Sequence, residues 1–68
     1  MNKFSERLKY LREIKGISQT KLAQKMNVTQ STISKWESGA REPKINEIIR
    51  LAKFFGETTD FLLGADDI

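Results

Sequence analysis

The chain of 68 residues contains no cysteine and no histidine. These absences exclude disulfide bonds, thiolate or imidazole zinc sites and histidine-based catalysis. No apolar run approaches the ~20 residues that a membrane-spanning helix needs, and the charged amino terminus lacks a signal-peptide stretch. We therefore expect a cytoplasmic protein that is not an enzyme and has no metal, cofactor or membrane partner.

Acidic residues are missing from the middle of the chain. Between residues 14 and 36 there are four lysines and neither Asp nor Glu. Residues 1–53 carry all 12 Lys and Arg against five Glu, a balance of +7, whereas residues 54–68 carry four acids and no cation, a balance of −4. A polyanion should approach the basic part and avoid the carboxyl end, although lysines that merely solvate a small domain give the same charge.

Apolar residues three and four positions apart predict an all-α fold, a compact bundle of five short helices. The predicted helices span about residues 2–15, 19–26 and 30–38, then Ile45 to near Gly56, and a short fifth helix that Thr58 caps and that runs through Leu63. Phe4, Leu8, Leu11 and Ile14 would face inward from the first helix. We expect one domain over residues 1–64, followed by a short, frayed acidic tail over residues 65–68.

The second and third predicted helices are separated by a very tight turn, Asn27-Val28-Thr29. Asn tolerates the left-handed conformation that ends a helix, and Thr is a natural N-cap for the next one. Ile33 and Trp36 form one apolar stripe on the third helix, which predicts burial in the core rather than base stacking. The pattern predicts a helix-turn-helix whose second helix is offered to a nucleic-acid groove.

The surroundings of this turn resemble the DNA-binding domain of phage lambda-type repressors and Cro proteins over roughly residues 4–64. The matching residues are Leu8-x-x-Leu11-Arg12, Gly16-Ile17-Ser18-Gln19, Leu22-Ala23, Val28-Thr29-Gln30, Ile33-Ser34-x-Trp36-Glu37-x-Gly39, Pro43, Leu51-Ala52 and Asp60-Phe61-Leu62-Leu63-Gly64. Asn27 departs from the glycine that is common at its position. The resemblance implies a lambda repressor-like fold and a sequence-specific regulator of transcription, a repressor above all. Because a single domain this small reads only a few base pairs, we expect it to bind a palindromic double-stranded DNA operator as a homodimer.

The first residues of a helix in the major groove reach base edges. Gln30 is the main candidate because its carboxamide matches the N6 and N7 groups of adenine, although a solvated surface glutamine is the plain alternative. The other base-contacting candidates on this helix are Ser31, Thr32, Ser34 and Lys35. The candidates for DNA-backbone contacts are Gln19, Lys21, Arg41 and Lys44. The resemblance gives Gln19 its role as a clamp on the DNA backbone.

The resemblance also implies a partly buried structural salt bridge between Arg12 and Glu37, which would link the first and third helices. Two other functions stay open. The chain would be an antitoxin or phage-control protein if its main target were another protein, but only four residues follow Gly64 to form a target-binding tail. It would equally fit the amino-terminal domain of a longer repressor.

Overall fold

The computed structural model describes residues 2–66, and these residues form helices and loops with no strand. The five helices are α1 (Asn2–Lys15), α2 (Gln19–Met26), α3 (Gln30–Ser38), α4 (Ile45–Phe55) and α5 (Thr59–Leu63). The predicted all-α class and the predicted helix bounds are confirmed. Within residues 2–66 no helix is long and apolar enough to span a membrane.

Short side-chain caps explain why three of these helices begin where they do. Ser18 accepts a hydrogen bond from the backbone N–H of Lys21, and Thr29 and Thr58 make the same bond to the residue three positions later. Each bond satisfies one of the backbone donors that a helix start leaves free. Asn27 ends α2 in the left-handed region, with φ 57° and ψ 44°, as the sequence predicts.

One apolar core holds the helices together. It combines side chains of all five helices, namely Phe4, Leu8, Leu11, Leu22, Ala23, Met26, Ile33, Trp36, Leu51, Ala52 and Leu62. Trp36 is fully buried, and its ring meets that of Phe4 edge to face with 6.5 Å between centroids. Ser5 is also buried and donates a hydrogen bond to the Trp36 carbonyl at 2.8 Å, which fixes α1 against α3. The core thus holds α3 from behind, as the apolar stripe predicts.

Two predictions from the sequence are wrong. Ile14 is 64% exposed, although its spacing suggested an inward position. At 3.6 residues per turn its side chain is about 90° away from the mean direction of Phe4, Leu8 and Leu11, so the same three-residue step carries it off the buried face. The start of the acidic tail is also not frayed, because Asp66 accepts a hydrogen bond from Arg7 at 2.5 Å. Residues 67 and 68 of the predicted tail lie outside the described residues.

Candidate nucleic-acid interface

The two sides of α3 have opposite character. Ile33 and Trp36 are completely buried, whereas Gln30, Ser31 and Lys35 are exposed. Ala23 of α2, which is 3% exposed, lies in the same core as Ile33 and Trp36. The polar side of α3 is left uncovered by the other described helices, as a helix that enters a groove must be.

The remaining predicted base-contacting residues, Thr32 and Ser34, are half-buried. The Thr32 hydroxyl lies 2.9 Å from the hydroxyl of Thr29, so it belongs partly to the cap of α3. Ser34 lines a polar cleft between α1, α2 and α3. All five predicted residues therefore occupy one helix, and three of them are open to a partner.

Gln30 is connected to α2 by its side chain. Its Nε2 donates a hydrogen bond to Oε1 of Gln19 at 2.6 Å. Gln19 in turn donates from Nε2 to Oε1 of Glu37 at 3.0 Å. The structure therefore brings together Gln30, predicted to contact a base, and Gln19, predicted to contact the DNA backbone. The two hydrogen bonds form a row that starts at Gln30 and ends at Glu37, which also lies on α3.

The Arg12–Glu37 ion pair that the family resemblance implies is present at the end of this row. Arg12 donates from Nε to Glu37 Oε2 at 2.6 Å and from Nη2 to Oε1 at 3.1 Å, a two-bond geometry that fits guanidinium and carboxylate. A third bond, from Nη1 to the Ile17 carbonyl at 2.9 Å, fixes the arginine. The hydrogen bonds to Glu37 raise the pKa of Arg12 above its ordinary value, while burial acts in the opposite sense. The three hydrogen bonds therefore hold the Arg12 side chain in one geometry.

The three predicted backbone-contacting cations are all exposed. Lys21 is exposed on α2, and Arg41 is exposed in the loop after α3, where its backbone N–H donates to the Lys35 carbonyl at 3.2 Å. Lys44 is exposed at the start of α4, and its backbone N–H donates to Glu47 at 2.7 Å. In the part of the chain that the structure describes, no group of three acidic residues is arranged to hold a metal ion.

One cation near this surface was missed by the sequence analysis. Lys9 lines the same polar cleft as Gln19 and Ser34. It lies three residues before Arg12 on α1, and residues at that spacing share a helix face. The spacing between Lys9 and Arg12 is the sequence feature that could have indicated this position. It indicates an interface residue only when α1 is known to lie beside α2 and α3.

Comparison with known proteins agrees with this geometry. Residues 8–62 match the family model described as Helix-turn-helix. The chain belongs to the helix-turn-helix family. The match includes α2, the turn and α3, so the predicted resemblance is confirmed for the segment that contains the candidate interface.

Solved structures of similar proteins have the same fold. The P22 c2 repressor, solved in complex with a synthetic operator, superposes with a TM-score of 0.83 at 27% identity, covering 91% of this chain and 94% of that one. The restriction-modification controller protein C.AhdI from Aeromonas hydrophila gives a TM-score of 0.81 at 33% identity, covering 90% and 92%. The lambda repressor-like fold is therefore confirmed.

Among curated proteins, the transcriptional activator BcrR of Enterococcus faecalis is 38% identical over 65 residues, which are 96% of this chain and 32% of BcrR. The prophage-derived transcriptional regulator YonR of Bacillus subtilis is 40% identical over 60 residues, covering 88% of this chain and 56% of YonR. This helix-turn-helix chain thus spans 32% of the length of BcrR and 56% of the length of YonR.

Proposed function

We propose that this chain regulates transcription by placing α3 in the major groove of double-stranded DNA. The observation that carries the proposal is the division of α3, with Ile33 and Trp36 fully buried behind an exposed polar side. Such a helix is fixed in orientation by the core and offers short donors to base edges. Residues 1–64 act as the DNA-binding unit in this proposal, which places the protein in the cytoplasm with its target.

The residues of the interface have two kinds of role. Gln30, at the start of α3, reads an adenine, and Ser31, Thr32, Ser34 and Lys35 contact neighbouring base edges. A second set contacts phosphates on either side of the helix: Gln19, Lys21, Arg41 and Lys44, with Lys9 added from the structure. Phosphate contacts set the register of the protein on the duplex, whereas the base contacts carry its sequence preference.

A single domain of this size reads only a few base pairs, so we propose a homodimer on a palindromic operator. Two copies of α3 would then enter successive turns of the major groove about 34–36 Å apart. The similarity to the P22 c2 repressor supports repression, in which the bound dimer blocks the polymerase. The identity to BcrR, which is named an activator, supports the opposite outcome when the operator lies upstream of the promoter.

Selection from a random duplex library tests the proposal. We expect the enriched duplexes to share two inverted half-sites whose centres are about one helical turn apart. A consensus without inverted symmetry would contradict the homodimer, and the absence of enrichment would contradict sequence-specific binding. Half-site spacing read from the same experiment gives the geometry of the dimer directly.

The two kinds of contact are separated by Gln30→Ala and Arg41→Ala. Gln30→Ala should relax the preference at one base pair of each half-site, with a loss of about 1–3 kcal/mol on the specific sequence. Arg41→Ala should weaken binding to specific and random duplexes alike and reduce the salt dependence of the association constant. Equal losses on both duplexes for Gln30→Ala would contradict its assignment.

A further inference from the structure

The row of hydrogen bonds behind Gln30 has a fixed direction. We infer that Glu37, held by Arg12, is a positioning residue for base recognition, because it sets which end of the Gln30 carboxamide faces the DNA. This inference rests on the proposed function, since it concerns how Gln30 meets a base. It assigns a role in sequence preference to an ion pair that would otherwise only join two helices.

A glutamine side chain can present either its oxygen or its NH₂ group to the same neighbour, because rotation by half a turn exchanges the two. The Arg12–Glu37 pair at the buried end of this row allows only one of these two orientations. The Arg12 guanidinium only donates hydrogen bonds, and the Glu37 carboxylate only accepts them. Gln19 must therefore turn its NH₂ group toward Glu37, as it does at 3.0 Å.

The orientation of Gln19 then determines the orientation of the exposed Gln30. With its NH₂ group turned toward Glu37, Gln19 directs its oxygen toward Gln30, whose Nε2 donates a hydrogen bond to it at 2.6 Å. One N–H and the oxygen of Gln30 remain for a partner. These are the two groups that match N7 and N6 of adenine. The reversed carboxamide would place a donor where adenine also donates.

Because Glu37 is buried, it is the residue that determines the orientation of the two carboxamides. Its side chain is 5% exposed, so little water reaches it to replace the hydrogen bond from Gln19. Two bonds from Arg12 hold the carboxylate at one place between α1 and α3, and a third bond, to the Ile17 carbonyl, fixes the arginine. Gln30 is exposed, and without this row its carboxamide rotates freely in water.

The test is Glu37→Gln, which keeps the size of the side chain but allows it to donate as well as accept. The readout is the affinity ratio between operators that differ at the base pair read by Gln30, identified beforehand with Gln30→Ala. We expect Glu37→Gln to lower that ratio about tenfold, within the range that one two-bond base contact supplies, and to leave the ratios at other base pairs unchanged. In the Gln30→Ala background, Glu37→Gln should not lower this ratio further.

The matched control is Asp66→Asn, which removes the negative charge from the Arg7–Asp66 ion pair and should change no base ratio. If Glu37→Gln does not fold, Gln19→Met replaces it, because this change removes the row while the Arg12–Glu37 pair stays intact. An unchanged ratio, or equal reductions at every base pair, would overturn the inference. A wild-type protein without any base preference would overturn the proposed function as well, so the two failures are distinguishable.

Discussion

Two arginines of α1 hold the helix to distant parts of the chain in different ways. Arg12 and Arg7 are covered to a similar degree, with side chains 13% and 18% exposed. Their acidic partners differ sharply: Glu37 is 5% exposed, whereas Asp66 is 47% exposed. Arg12 also pairs through two bonds to the carboxylate, whereas Arg7 is shown with one.

The difference shows that the same pair of chemical groups serves two purposes. Asp66 stays hydrated, so its pairing with Arg7 replaces bonds to water and contributes about 0–1 kcal/mol. Glu37 has lost most of its water, and in such a site the attraction mainly repays the desolvation. The pair at Glu37 therefore contributes little net stability but is costly to break. The fixed geometry of the Arg12–Glu37 pair, rather than its contribution to the free energy of unfolding, distinguishes it from the Arg7–Asp66 pair.

The largest effect should come from breaking the buried pair on one side. Glu37→Ala leaves the Arg12 guanidinium without a counter-charge in a mostly dry site, and should lower the free energy of unfolding by about 2–4 kcal/mol. Arg12 keeps its bond to the Ile17 carbonyl, which limits the loss. Urea denaturation followed by circular dichroism measures it. A loss below about 0.5 kcal/mol, typical of exposed pairs, would show that both arginines are equivalent.

A smaller effect should follow when both charges of the buried pair are removed. In Arg12→Met with Glu37→Leu, no charge is left unpaired and apolar groups of similar size fill the site. The free energy of unfolding should return to within about 1 kcal/mol of the wild-type value, as for other buried pairs replaced by apolar residues. The same urea titration tests this expectation.

The double variant also separates stability from recognition. Since Gln19 would find no acceptor at position 37, the base preference assigned to Gln30 should stay reduced even though the fold has recovered. Recovery of both properties together would show that the pair acts only through stability. A double variant as unstable as Glu37→Ala would instead show that the charged pair itself stabilises the fold.

The elements that the sequence predicts well are those decided within a few residues. Ser18, Thr29 and Thr58 begin their helices because a hydroxyl reaches a backbone N–H three positions later. Ile33 and Trp36 were placed in the core by their spacing on one short helix. In each case the distance that matters is fixed by the helix itself, so no knowledge of the rest of the chain is needed.

The elements that the sequence does not predict depend on how separate helices cross. No spacing rule brings Gln19 of α2 near Glu37 of α3, although both lie in the segment that defines the motif. The bond between Arg7 and Asp66 joins residues 59 positions apart, so no local pattern predicts it and the tail is expected to be frayed. The Arg12–Glu37 pair was predicted only through the family resemblance. Polar contacts between residues that are far apart in the sequence are thus the features that local sequence patterns do not predict.

The smallest effect should come from the exposed pair. Asp66→Ala leaves Arg7 with its bond to the Phe61 carbonyl at 2.6 Å and its contact over the Phe61 ring, 4.5 Å from the centroid. No charge is stranded in a dry site, so the free energy of unfolding should fall by only about 0.5 kcal/mol. The loss should shrink further in 1 M salt, where the Debye length is about 3 Å. Urea titrations at low and high salt measure both quantities, with Glu37→Ala as the reference whose loss salt should hardly change. A loss above about 2 kcal/mol for Asp66→Ala would show that exposure of the carboxylate does not decide the cost of breaking an ion pair of α1.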